Sequence, residues 1–438
     1  MNRSTKGLYC VLLWALVLAG CNIWTVKPAA LLPEPITLRI AWWGGQLRND
    51  TTIQVIKLYE QQNPHVQIEY EYTNFDEYWK KIASLAAGNA LPDIIQMDIS
   101  YLTQYVSLGL LENLDSYTKN GLIDVENIDK SKLSGGRLGG RLYGFNLGVN
   151  ALFGYYDPEV FKQNGLELPG KEWTWDEFDR LGEALKELPL SKDNQIYLAT
   201  MFTPEQFFGY YLRQHGSTLY AASGDSLGYE DDQLFVNYFG RMQRLAQDEL
   251  LYSPDIWTSS ISNPGLDPFN EGRALFGWGY SNQFVNTTRS YGKPLEIVPM
   301  PGPDSDKGLF LKPGMFFSVA KNSKYKEEAA RFISFFVNNL EANKLLQGER
   351  GVPVSSLVNE QMRPLLNPEM AQVFEYVEWV ETHSSPMDNP EPVGSSDVTA
   401  VLRELYDLLL FGKITPEAAA SEFRKKADLI LEQNKNTD

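Results

Sequence analysis

Between Thr37 and Asp98 the chain alternates three apolar-rich strands with two amphipathic helices, an order that few folds accommodate. Thr37 to Trp42 reads as the first strand. After the Gly44-Gly45 turn, Asp50 is in position to cap a helix that carries Ile53, Ile56 and Tyr59 and stops before Asn63-Pro64. Val66-Gln67-Ile68-Glu69-Tyr70-Glu71-Tyr72 alternates as a half-buried strand does. A second helix is expected from Asp76 to Ala87, ending at Gly88, and Pro92 to Asp98 reads as a short buried strand. Strands separated by helices form a parallel sheet with helices over its faces. In such sheets ligands collect at the carboxyl ends of the strands, which here carry Trp42-Trp43-Gly44-Gly45, Tyr72-Thr73-Asn74-Phe75 and Asp98.

The remainder is long enough for two ordinary domains. A Gly-interrupted extended run from Gly140 to Asn150 leads into Ala151 to Tyr156 and a helix start at Asp157-Pro158. Thr174 and Glu177 have the spacing of a capping box. Further helices are expected over 204–215, 231–248, 324–347, 368–382, 396–411 and 416–433, the last opening with Thr415-Pro416. Residues 383–395, with three prolines, read as the longest irregular loop.

The first residues form a basic head with Arg3 and Lys6, an apolar stretch from Leu8 to Leu18, and then Ala19-Gly20-Cys21, the pattern of an export signal. That stretch is shorter than the roughly 20 residues a membrane span needs. Leu18-Ala19-Gly20-Cys21 looks like a bacterial lipobox, so residues 1–20 are expected to be removed, Cys21 to carry lipid, and residues 21–35 to act as a tether at the outer face of the cell membrane. Of the 2 cysteines, Cys10 falls in the removed segment, which leaves no pair for an internal disulfide. A net charge of −17 argues against nucleic acid and anionic lipid head groups as partners.

With 10 Trp, 23 Tyr and 22 Phe, several in polar or Gly-rich contexts, the chain is furnished for stacking on the C–H faces of sugars. Trp42 and Trp43 are adjacent on a strand and point to opposite faces, so one is expected in the core and the other free for ligand. Gly44 and Gly45 would admit close backbone approach or simply make a tight turn. Asn74, Phe75 and Tyr78 lie at the next strand-to-helix junction, where Asn74 could equally cap the helix. Asp98 could accept two sugar hydroxyls or cap a helix. Glycines on both sides of Trp278 suggest an accessible ring, followed by Tyr280, Ser281 and Asn282. Asn146 and Asn150 are polar candidates near the expected crossing, and Trp257, Phe316, Phe317 and Trp379 carry a weaker case.

Taken with Tyr59-Glu60-Gln61-Gln62-Asn63-Pro64, Gly88-Asn89-Ala90-Leu91-Pro92-Asp93, Leu142-Tyr143-Gly144, Trp173-Thr174-Trp175-Asp176-Glu177-Phe178, Phe269-Asn270-Glu271-Gly272-Arg273-Ala274-Leu275-Phe276 and Val319-Ala320-Lys321-Asn322-Ser323, the chain resembles the family 1 solute-binding proteins of carbohydrate ABC importers, the group of the maltose- and oligosaccharide-binding proteins. The resemblance implies an α/β fold of the two-lobed type II periplasmic-binding-protein kind, with ligand in the interlobe cleft. One lobe would take 36–148 and 313–365, the other 149–312 and 366–438. It also implies an oligosaccharide ligand, partner permease subunits with a separate ATPase, a monomeric state and no cofactor. The Trp42-Trp43-Gly44-Gly45 and Trp278-Gly279-Tyr280-Ser281-Asn282-Gln283 runs are similar to those of receptors for plant-wall and pectin-type sugars, although Asn49 stands where that subgroup has a second basic residue.

The rival reading is an exported carbohydrate hydrolase or lyase. A glycosidase needs two carboxylates fixed across the scissile bond, and the sequence isolates no such pair. The 3 histidines, His65, His215 and His383, are far apart, and there is no Gly-x-Ser-x-Gly elbow and no phosphate-binding Gly-Lys-Ser/Thr loop.

Overall fold

A computed structural model describes residues 34–189, 194–302 and 304–436. The expected signal segment, the lipidation at Cys21 and nearly all of the tether lie outside the described residues.

β1 (Ile36–Trp43), β2 (Val66–Thr73) and β3 (Ile94–Met97) run parallel, with α1 (Gln46–Gln62) and α2 (Phe75–Ala87) between them and α3 (Ile99–Ser107) after them. A hairpin of β4 (Arg137–Leu138) and β5 (Arg141–Leu142) precedes the short strands β6 (Phe145–Asn146) and β7 (Val149–Asn150). Then come β8 (Leu152–Tyr156), β9 (Tyr197–Ala199), β10 (Ala274–Tyr280), β11 (Glu296–Val298), β12 (Lys312–Pro313) and β13 (Phe316–Val319). Two main sheets result, in the orders β2-β1-β3-β13-β6 and β11-β8-β10-β9. The first is not assembled from consecutive strands, since β13 returns from far down the chain to lie antiparallel against β3, Phe316 opposite Met97.

Burial follows sheet position. β3 and β13 are central, and all of their residues are buried, including the polar Gln96 and Ser318, so neither shows an apolar–polar alternation. β2 is an edge strand. Its Val66 and Ile68 are buried, but the next two positions of the alternation, Tyr70 and Tyr72, are each 43% exposed. Their rings lie 5.7 and 5.4 Å from that of Trp42.

Local signals set the helix starts. Thr174 and Glu177 form the expected capping box of the helix Trp175–Lys186. Asp50 does not cap α1. The helix begins four residues earlier at Gln46 from an extended Gly45, and Asp50 sits inside it, accepting a hydrogen bond from Gln46 Nε2 at 2.7 Å. The helix expected over 324–347 is two, Lys326–Asn338 and Leu340–Leu346, because Asn339 leaves helical geometry and its side chain caps the second at Ala342. The loop at 383–395 is held down by Arg213, whose guanidinium donates to Pro386 O at 2.9 Å and also pairs with Asp388.

The passage between the sheets is narrow. β7 and β12 pair antiparallel, and Val149 exchanges two backbone hydrogen bonds with Val352, at 2.8 and 2.9 Å. Gly314 N donates to Gly148 O at 2.7 Å. Three segments, around 148–150, 312–314 and 350–352, therefore meet where the chain passes from one sheet to the other. A second tie is the ion pair of Lys132 with Glu381, 3.0 Å apart, which joins the segment before β4 to the helix Pro368–Thr382 packed on β11.

Candidate functional site

The first turns of α2 and α3 start at the carboxyl ends of β2 and β3, beside the end of β1, and they bring three aromatics to Trp43 and a fourth to Trp79. Its indole packs on Phe75 at 5.3 Å, Tyr78 at 5.2 Å and Trp79 at 5.7 Å. Trp79 in turn stacks on Tyr101 at 3.8 Å with planes 14° apart. Phe75 is 40% exposed and Tyr101 half-buried, so the cluster shows aromatic surface at its rim over a buried base of Trp43, Tyr78 and Trp79. Burial, then the charges of Asp98 and Asp76, push the Tyr101 phenol up, so it remains a neutral donor near pH 7.

Neighbouring candidates serve the framework. Trp42 is fully buried, and its Nε1 donates to Asn49 Oδ1 at 2.9 Å, so Trp42 is core. The same bond accounts for Asn49 inside the fold. Trp43 is also largely buried, so the face expected to be free is covered by α2. Tyr78 donates to Gln96 O at 2.7 Å and is only 2% exposed, which makes it a strut rather than a contact. Asn74 caps α2 by accepting from Glu77 N, and Asp98 caps α3 by accepting from Ser100 N and Oγ. Gly44 and Gly45 form the turn into α1 at the edge of the cluster, and Gly45 is exposed.

On the second sheet Trp278 is half-buried against an aromatic cluster. Its ring lies 4.9 to 6.1 Å from those of Phe202, Phe276, Phe178 and Phe207, and it crosses Gly154 on β8. The flanking glycines answer to their own neighbours. A side chain at 277 would meet the Tyr155 ring at 2.1 Å, and one at 279 would meet Gln283 Oε1 at 2.5 Å. Ser281 is fully buried and ties β10 to β8 through Ala151, so it too is structural. Phe316 and Phe317 are fully buried in β13, and Asn146 is fully buried with its amide donating to Lys132 O. Ser281, Phe316, Phe317 and Asn146 are corrections of one kind, since each lies beneath the surface a ligand could touch, whereas Trp278 is only half-buried.

Tyr280 is half-buried under the Lys312 ammonium, 4.3 Å from its ring centre, next to Asn150 in the β7–β12 ribbon. Asn150 is buried with Oδ1 lacking a partner. Asn282 and Trp257 are half-buried, and Trp379 stacks on His383 at 4.4 Å. Among the described residues no ring contact joins Trp257, Trp278 or Trp379 to the Trp43 cluster. A polar groove of about 450 Å³ lies elsewhere, lined by Tyr211, Arg241, Arg244 and Pro416. Its Arg241 is engaged by Asp179 at 3.1 Å and by the face of Trp175.

The arrangement offers stacking surface and hydrogen-bonding groups at the strand ends of the first sheet, which a narrow crossing joins to the second. Among the described residues there is no group of three metal-ligating side chains and no helix long and apolar enough to cross a membrane. The family model for bacterial extracellular solute-binding proteins matches residues 45–339. The chain belongs to that family. This solute-binding protein is 27% identical to an extracellular solute-binding protein family 1 structure from Alicyclobacillus acidocaldarius, with 91% of this chain and 99% of the other covered and a TM-score of 0.74. A periplasmic oligogalacturonide binding protein from Yersinia enterocolitica is similar at 23% identity, covering 91% and 99%, with a TM-score of 0.74. An uncharacterised ABC transporter extracellular-binding protein of Pyrococcus horikoshii is 24% identical over 69% of each chain. The two-lobed fold expected from the sequence is the fold of these solute-binding structures.

Sequence reasoning missed Trp79, Tyr101, Gln96, Glu349 and Arg350 of this solute-binding protein, and met Arg48 only as the basic residue before Asn49. Trp79 and Tyr101 carried a readable signal, since each lies in the first turns of a helix that starts at a strand's carboxyl end. The others did not. Gln96 Nε2 donates to Trp43 O at 3.1 Å, and Arg48 is gripped by Glu349 through both carboxylate oxygens at 3.0 and 2.7 Å. No sequence pattern links residues so far apart.

Proposed function

We propose that this solute-binding protein captures an oligosaccharide between its lobes and passes it to the permease of an ABC importer whose ATPase is a separate chain. The observation that carries this is the Trp43–Phe75–Trp79–Tyr101 cluster at three strand ends, because sugar rings stack on aromatic edges and faces while their hydroxyls take polar neighbours. The named functions of the Yersinia and Pyrococcus proteins support the same reading. The lobes would be 36–148 with 313–365, and 149–312 with 366–438, turning on the β7–β12 ribbon. The protein would act as a monomer, without catalysis or cofactor, held outside the cell membrane by lipid on Cys21.

The test is calorimetry on the chain lacking residues 1–21, with neutral and acidic oligosaccharides and product analysis in parallel. Saturable heat without product is the expected result, and turnover would defeat the reading. Phe75→Ala is expected to weaken binding by about 1 kcal/mol or more while leaving urea stability nearly unchanged, since the ring is 40% exposed. Separately, Cys21→Ser is expected to release the protein from the membrane fraction into the medium or periplasm, with sugar affinity kept. Continued sedimentation with membranes would remove the lipid anchor.

A further inference from the structure

Arg350 is almost fully buried, yet nothing in the sugar-capture reading uses it. Its Nη2 donates to Thr52 Oγ1 at 2.8 Å, and Nε and Nη2 both reach Gln96 Oε1 at 3.3 Å. Nη1 has no hydrogen-bond partner, and the guanidinium sits 5.2 Å from the Phe336 ring centre. Burial, then the neighbouring Arg48 charge, push it down to about 9, against the pull of Glu349. A buried cation with an unused donor is costly to keep for packing alone.

Both ends of its connections are informative. Gln96 also donates to the Trp43 carbonyl, Thr52 Oγ1 donates to Arg48 O at 2.6 Å, and Arg48 Nη1 reaches Trp43 O at 3.3 Å. Glu349 closes the circuit by gripping Arg48. At the other end, the Arg350 backbone is wedged among the crossing segments. A Cβ on Gly314 would lie 2.1 Å from Arg350 O, and one on Gly148 would lie 2.8 Å from it. Gly351, at φ +110°, follows in a turn closed by its own amide onto Gly348 O.

We propose that Glu349 and Arg350 are positioning residues that lock the Trp43–Arg48 loop to the crossing segments, so that movement at the crossing and movement of the aromatic loop are one event. The pair holds the loop side through hydrogen bonds of 2.7 to 3.3 Å and meets the crossing side by close backbone packing, and among the described residues the loop has no other ion pair to that turn. The proposal rests on the sugar-capture reading only in treating the loop as a ligand contact.

The test is amide hydrogen exchange on the full chain without ligand, read at the Gly44 and Asn49 amides, which bond Thr73 O and Gly45 O. Val149→Ala loosens the crossing without touching the loop, and is expected to speed exchange at both amides about tenfold. Arg350→Met is expected to do the same, and the double variant to exchange no faster than Arg350→Met alone. Loop amides that keep parental rates in Val149→Ala, or rates that multiply in the double variant, would overturn the proposal. Should Arg350→Met fail to fold, Glu349→Ala takes its place in the cycle with the same two readings. A failed sugar reading would appear in the calorimetry and leave this exchange result standing.

Discussion

Trp42→Ala is expected to lower the unfolding free energy by ~3–5 kcal/mol, read as a fall in the urea midpoint followed by circular dichroism. The residue has no exposed surface, so the change removes a full indole from between α1 and the edge strand. It also strips Asn49 Oδ1 of its donor in a buried site, which adds to the cavity cost. Tyr70 and Tyr72 lose the ring they lean on. A midpoint within experimental error of the parent would show that the pocket collapses freely or that Trp42 is not packed as described. Phe75→Ala, one strand end away, is expected to behave in the opposite manner, with affinity lost and stability kept.

Gly314→Ala is expected to be the most damaging single methyl at the crossing. The added carbon would sit 2.1 Å from the Arg350 carbonyl oxygen and 3.0 Å from Asn150 Nδ2. The carbonyl belongs to a turn whose own hydrogen bond, Gly351 N to Gly348 O at 2.8 Å, leaves it little room to retreat. Overpacking of this kind costs about 1–3 kcal/mol, and against rigid backbone the upper end or more is expected. The same urea titration reads it. Gly209→Ala is the control, since that glycine lies in the helix Pro204–Gln214 with nothing within 4 Å of the added carbon. It is expected to stabilise by up to ~1 kcal/mol through helix propensity. Equal effects at the two positions would mean that the crossing is not close-packed.

What could be read in advance was local. The β–α–β–α–β order, the capping box at Thr174 and the buried strand β3 are written in neighbouring residues, whereas the return of β13 to that sheet is not. The fate of Trp278 was not local. Flanking glycines suggested an open ring; the ring is half-buried, and the glycines themselves leave space that Tyr155 and Gln283, distant in sequence or folded back, need. Likewise the two faces of the Trp42-Trp43 step were legible from strand geometry, but not that α2 would cover the second indole as fully as α1 and β2 cover the first. The link from Glu349 to Arg48 joins residues with no shared motif, and only tertiary structure reveals it.

The return of β13 to the middle of the first sheet also governs the order in which the molecule can be made. β3 has no neighbour on one side until Phe316 arrives opposite Met97, and β6 has none at all without Phe317. A ribosome-bound or partly translocated chain must therefore hold an open sheet edge through the synthesis of the entire second sheet. Such long-range closure slows folding and leaves apolar strands in need of a chaperone's cover. For a polypeptide exported as proposed, lateness in closing is an advantage: the chain stays threadable until nearly three-quarters of it has been delivered.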